Sequence, residues 1–189
     1  MKTSIVFIHS AGPQEGDQGS SGLAASLQAA FGSQYECICP RMPEPENPSS
    51  AEWGKKIQSE LKNLQGEVIL IGHSLGGTTL FQHIADAGNI DRVIGMFLLG
   101  MPYWGIDEEW QREEFVLPDH FAIQARKIAH LYLYHNRDDE IVPLTHVRHY
   151  EKQLPFATLR VQDEGGHLFA NGCPQLVRDI NSILQRGVD

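Results

Sequence analysis

Short apolar bursts separated by longer amphipathic stretches recur along the chain, and no other feature restricts its fold as much. The bursts fall at 4–8 (SIVFI), 34–38 (QYECI), 67–71 (EVILI), 92–99 (RVIGMFLL), 130–135 (HLYLYH) and 156–161 (FATLRV). Several are apolar without a break, as strands covered on both sheet faces should be. Between them, 20–31, 51–64, 74–87, 144–153 and 173–185 read as helices. Trp53, Ile57, Leu61 and Leu64 recur at helical spacing in the second, and Leu80, Phe81, Ile84 and Ala87 in the third. Strand, helix, strand, repeated in this way, predicts an α/β fold with an open parallel sheet and helices on both faces. Such sheets carry their chemistry at the C-terminal ends of the strands.

The chain has 189 residues, 41 % of them hydrophobic, which suits one domain spanning 1–189 with a full core. Its 15 Lys and Arg against 24 Asp and Glu give a net charge of −9. A polyanion is repelled by that balance, and no basic run or basic helix face offers phosphate contacts, so nucleic acid is excluded as a partner. Only four apolar residues, Ile5 to Ile8, precede His9, too few for a signal-peptide core. Nor is there a run of about 18 apolar residues to cross a bilayer. Cys37, Cys39 and Cys173 read as reduced thiols, the first two on one strand with their thiols on opposite faces. The expectation is a soluble, cytoplasmic protein with no membrane partner.

Two segments interrupt the rhythm. Residues 41–48, RMPEPENP, hold three prolines and read as a rigid loop after the second strand. Residues 101–126, inserted between the fourth and fifth strands, are too long for a simple connection and predict short helical turns. Both leave the strand C-terminal side. Met42 from the first, with Met101, Tyr103, Trp104, Trp110 and Phe115 from the second, are the candidate walls of a shallow apolar substrate pocket.

At that same side, the apolar run Val68 to Ile71 breaks into Gly72-His73-Ser74-Leu75-Gly76 and then into a helical pattern. A turn from buried strand to helix within one residue strains the serine backbone, tolerates only small neighbours at 72 and 76, and lifts the Ser74 hydroxyl clear of the chain. The helix that begins beside it aims N–H groups and the positive end of its dipole at the place where an oxyanion would form. Ser74 is therefore the candidate nucleophile and Leu75 N–H a candidate oxyanion donor, whereas His73 reads as a residue for packing or local hydrogen bonding. The second donor is expected from the loop after the first strand, at Ala11 or its neighbour Ser10. Neither the lysine of a phosphate-binding P-loop nor a dinucleotide fingerprint is present.

A serine hydroxyl needs an imidazole to become a nucleophile, and nine histidines compete for that role. His167, in Gly165-Gly166-His167 just past the last strand, is the one the inferred topology carries over the sheet edge. His83 and His146 read as surface residues, and His146-x-x-His149 lacks a third ligand for a metal. The orienting carboxylate should leave the end of the fifth strand, where Asp138 and Asp139 stand side by side. Only one of two adjacent side chains should reach the histidine, the other capping the turn. The order serine, aspartate, histidine is that of α/β-hydrolases.

With the serine corner, the acid segment RDDEIVP and the histidine segment GGHLF together, the chain resembles the small serine hydrolases typified by retinoblastoma-binding protein nine and bacterial YdeN-like proteins. The likeness extends over nearly the whole chain, through Met42-Pro43-x-Pro45, Trp53, Trp104, Ile106, Asp107 and Phe115 to Pro118. It departs at His9-Ser10, where many hydrolases have His-Gly. The resemblance implies Ser74 as nucleophile, Asp139 as the orienting acid and His167 as base. It also implies a minimal α/β-hydrolase: a three-layer α/β/α sandwich around a six-stranded parallel sheet in the order 2-1-3-4-5-6, without a large cap. The expected activity is hydrolysis of a small-molecule acyl substrate, a small to medium ester, with neither cofactor nor metal. The alternative is a protein-binding module on a weakly active hydrolase scaffold, which one relative's name implies.

Overall fold

The computed structural model describes residues 3–16, 18–87 and 90–186, side chains excepted at 87 and 186, so the expected apolar position Ala87 lies outside the described side chains. Six strands, β1 (Ser4–Ile8), β2 (Glu36–Ile38), β3 (Val68–His73), β4 (Val93–Leu99), β5 (Leu131–Asn136) and β6 (Thr158–Gln162), form one sheet in the order β2-β1-β3-β4-β5-β6. Every pairing is parallel, and the order is the one the family resemblance implies. The helices are α1 (Ser21–Phe31), α2 (Ser50–Lys62), α3 (Leu75–Ala87), α4 (Phe121–Ala125), α5 (Leu144–Gln153) and α6 (Pro174–Arg186).

Alternation along the strands builds two cores. Val6, Ile8, Val68 and Leu70 face the layer of α2 to α5, where Trp53, Ile57, Phe81 and Tyr150 meet them. Ile5, Phe7, Ile69 and Ile71 point the other way, onto Leu23 and Leu27 of α1 and Leu176 and Ile180 of α6. Filling both faces is why β1 and β3 read as unbroken apolar runs. Each large side chain buried this way contributes about 1.5–3 kcal/mol. Among the described residues, no helix is long and apolar enough to cross a membrane.

The inserted segment is a packed wall rather than a cap. It contains a 3-10 turn, Glu113–Phe115, and the short α4. Its rings pack against one another, Trp104 meeting Trp110 edge to face at 5.0 Å and Phe115 at a tilt at 5.1 Å between ring centroids. Phe121 meets Phe81 of α3 at 5.6 Å. The expectation for Cys37 and Cys39 is overturned: both line one cleft beside α1, because residues two apart on an extended chain share a face.

Candidate active site

β3 ends beneath the corner, and the corner is strained as steric reasoning requires. Ser74 has φ 52°, a left-handed conformation rare for a residue with a Cβ. Its N–H donates to Leu99 O at 2.8 Å, and its own carbonyl accepts from Gly77 N–H at 2.9 Å as α3 begins. A Cβ on Gly72 would stand 2.5 Å from Gly77 Cα across the turn. One on Gly76 would stand 2.2 Å from His9 O and 2.4 Å from Ile8 O. Gly76 is thus required by the end of β1, a contact between the first turn of α3 and a strand distant in the chain that local sequence does not display.

Leu75 is the first residue of α3, so its N–H has no partner within the helix and points out of the helix N-terminus beside Ser74. Across the corner, Ser10 N–H donates to the buried Ser20 Oγ at 3.1 Å. Ala11 follows at an exposed position, with Gly12 N–H bonded to Pro45 O at 2.8 Å. The loop after β1 is therefore tied at both sides of Ala11.

His167 and Asp139 meet. The imidazole Nδ1 lies 2.9 Å from Asp139 Oδ2 and 3.1 Å from Oδ1, both residues being almost wholly enclosed. Oδ1 also accepts the N–H groups of Val142 at 2.7 Å and Ile141 at 3.0 Å. Burial pushes this carboxyl up, but His167 and the two N–H donors outweigh it and leave Asp139 below the usual aspartate value. A Cβ on Gly100 would lie 3.4 Å from His167 Nδ1 and 3.5 Å from Asp139 Oδ2, and Gly100 follows Leu99, the residue that accepts from Ser74 N–H. The serine corner and the histidine–aspartate pair thus share the end of β4. The hydrogen bonds of the described residues join His167 to Asp139, and none joins it to Ser74 Oγ, as is common before substrate is bound.

Residues that sequence reasoning passed over or gave lesser roles hold this assembly. Asp138 accepts Gly165 N–H at 3.0 Å and Gly166 N–H at 2.9 Å, bonds that lower its carboxyl, so it anchors the histidine loop from the far side of the pair. Glu140 Oε2 accepts His167 N–H at 3.2 Å, and Asn136 Nδ2 donates to Gly166 O at 2.8 Å. His73 is fully buried, and its Nε2 donates to His167 O at 2.8 Å. Burial, reinforced by the nearby His167, holds the His73 ring down to about 3, so it stays neutral. The acidic run RDDE hinted at Asp138 and Glu140, whereas nothing local marks His73 as a positioning residue.

The expected pocket walls separate into two groups. Phe115 and Met42 are 0 % and 1 % exposed, sealed into the core, and Met101 is 3 % exposed against Gly77. As direct walls, Met42 and Phe115 are a correction: the proline loop and the inserted segment turn these two side chains into the core that holds Trp53, Ile57 and Phe81. Tyr103, Trp104 and Trp110 keep partial exposure. The crevice lined by Tyr103, Trp104, Val116, Leu117 and Tyr150 measures about 20 Å³, room for about one water and not for an acyl chain. Exposed apolar side chains occur at Val116 of that crevice and also at Ile141 and Leu168, next in the chain to the acid and histidine positions. A cavity of about 620 Å³ between α2 and α3 touches Val68 and Val93, where β3 and β4 begin, and so lies at the opposite end of the strands. His146 is also a correction, since it is buried, with its Nδ1 accepting Tyr103 N–H at 2.9 Å.

Known proteins share this arrangement of chain. The ydeN gene product of B. subtilis superposes with a TM-score of 0.78 at 16 % identity, over 98 % of this chain and 100 % of its own. The serine hydrolase CCSP0084 of Cycloclasticus zankles gives 0.73 at 14 %, covering 99 % and 91 %. Est1E of Butyrivibrio proteoclasticus, solved with ferulic acid bound, gives 0.67 at 13 %, covering 100 % and 90 %. Likeness at such identities speaks for the fold alone. Among curated proteins none matches. The family model described as serine hydrolase matches residues 28–178, a span that contains Ser74, Asp139 and His167, and this chain belongs to that serine hydrolase family.

Proposed function

We propose that the protein hydrolyses small to medium carboxylic esters through an acyl-enzyme at Ser74. The observation that carries this reading is the left-handed Ser74 at the head of α3, sharing the end of β4 with a His167–Asp139 pair at 2.9 Å. His167 would take the Ser74 proton during attack on the carbonyl, with Asp139 holding the Nδ1–H tautomer and stabilising the imidazolium. Leu75 N–H and Ala11 N–H would receive the oxyanion, Ser10 N–H being committed to Ser20. His167 then protonates the leaving alcohol, and water repeats the sequence on the acyl-enzyme.

The shallow surroundings support short acyl chains, approached past Tyr103, Trp104 and Trp110 on one side and Ile141 and Leu168 on the other. A hollow of about 350 Å³ beside His167 is lined by Asp138, Glu140 and Glu164, so an anionic leaving group is disfavoured there. Ferulic acid, bound by Est1E, belongs to the carboxylic acids that ester hydrolysis releases. A fluorophosphonate probe tests the reading: rapid labelling that is abolished in Ser74→Ala and greatly slowed in His167→Ala is expected. Folded wild-type protein that takes no label would instead favour the protein-binding alternative. A screen of p-nitrophenyl esters of increasing acyl length, with amides and thioesters alongside, should peak at the shorter esters.

A further inference from the structure

β5 ends in two fully buried polar side chains, His135 and Asn136, which alternation along the strand sends to opposite faces of the sheet. Asn136 holds the histidine loop: its Nδ2 donates to Gly166 O, while its Oδ1 accepts Gln162 Nε2 at 3.2 Å. His135 has no part in the chemistry above. Its Nε2 lies 2.8 Å from the carbonyl oxygen of Val142, and its Nδ1 is buried with no hydrogen-bond partner among the described residues. A carbonyl only accepts, so Nε2 carries the proton and Nδ1 is an orphaned lone pair. Burial lowers the basicity of the ring and keeps it neutral. Nε2 is also 3.7 Å from Asp139 Oδ2, too far to bond, so that oxygen stays with His167. Packing alone would be better served by a phenylalanine, which leaves no orphaned nitrogen in the core. What distinguishes the imidazole here is the carbonyl it holds.

That carbonyl belongs to the residue that also steadies the acid. Val142 is wholly buried, its N–H donates to Asp139 Oδ1 at 2.7 Å and its C=O accepts from His135, so it is gripped on both sides. Asp139 N–H in turn donates to Asn136 O at 3.3 Å. The acid turn, residues 136–142, is thus closed at its base by backbone and at its far end by a ring reaching across from the strand. We propose that His135 is a positioning residue for the Ser74 reaction: by holding Val142 O it keeps the Val142 and Ile141 N–H groups aimed at Asp139 Oδ1, which leaves Oδ2 fixed on His167. Without the imidazole donor, Val142 O is a buried acceptor short of a partner, and the peptide turns to find one. The neighbouring Val142 N–H moves with it, and the carboxylate loses the shortest of its bonds. The consequence for rate rests on the ester hydrolysis proposed above, whereas the consequence for the His167–Asp139 bond does not.

Fluorophosphonate labelling, p-nitrophenyl ester turnover and proton NMR of the full chain test this. His135→Phe, which keeps a ring and removes the donor, should slow labelling and kcat by roughly 10- to 10²-fold with KM little changed. His135→Gln, whose amide N–H stands as many bonds from Cα as Nε2 does, should recover most of that loss. The low-field resonance of the His167 Nδ1 proton, sheltered by Asp139, should be seen in the wild type and in His135→Gln and be broadened or lost in His135→Phe. If the phenylalanine variant does not fold, His135→Met fills the site without a donor and repeats the comparison. A folded donor-less variant with wild-type rates and an intact resonance overturns the proposal, even if its stability is lowered. So does a glutamine variant as impaired as the phenylalanine one, or a wild type without the resonance. Should wild-type protein neither label nor turn over ester, the ester reading fails and the resonance alone decides the role of His135.

Discussion

Ser74 is held in a backbone conformation it would not choose, and its neighbours show what maintains it. Gly76 has no room for a methyl group because the carbonyl oxygens of Ile8 and His9 lie against it. Gly76→Ala should therefore cost about 3 kcal/mol, read as a lower urea midpoint, through displacement of β1 rather than loss of helix propensity. The two neighbouring aspartates should separate cleanly in kinetics. Asp139→Asn should lower kcat roughly 10⁴-fold by favouring the wrong His167 tautomer. Asp138→Asn retains one oxygen for the loop N–H groups and should cost less than about tenfold. Similar losses in the two variants would show that the loop anchor, not the tautomer, limits the rate.

At the scale of elements, the histidine loop is held to the end of β5 and α6 to the sheet's last two strands. Asp179 of α6 receives Arg160 Nε and Nη2, both at 3.0 Å, and Tyr134 O–H at 2.7 Å, joining α6 to β6 and β5. Arg160 keeps 37 % of its side chain exposed, so the pair is only partly shielded from solvent. Asp179→Ala should destabilise the protein by about 2 kcal/mol, below the range for fully buried pairs, and leave the Tyr134 hydroxyl without its acceptor. Tyr134→Phe should cost about 1 kcal/mol in the same denaturation assay, the share of one buried hydrogen bond.

For the molecule as a whole, the depressed carboxyls set a direction on the acid side. Asp138, Asp139 and Asp179 all have folded values below the 3.8 of a free aspartate. Above that value their stabilising contribution is fully present, and it is lost as pH falls through the lower folded values, where the unfolded chain binds more protons. Urea midpoints measured from about pH 7 down to about pH 3 should fall steeply below about pH 4, and Asp179→Asn should flatten that fall. A midpoint that stays level across the acid range would show that these carboxyls are unperturbed.

Strand periodicity, glycine positions and the side of a parallel sheet from which each connection leaves were enough to read the parallel sheet, its helices, the serine corner and the His167 loop, whereas the strand order and the choice of Asp139 over Asp138 came from the family resemblance. β2 is shorter than its apolar run suggested, three residues against five, since an edge strand pairs on one side only. What the aromatic residues of 101–126 do could not be read locally, because an apolar side chain satisfies a core and a pocket equally well. Tertiary packing alone turned Met42 and Phe115 inward, committed Ser10 N–H to Ser20, placed His73 behind His167 and set Cys39 against His9. Each of those outcomes depends on segments brought together from different strands and loops, and such contacts leave no period in the chain.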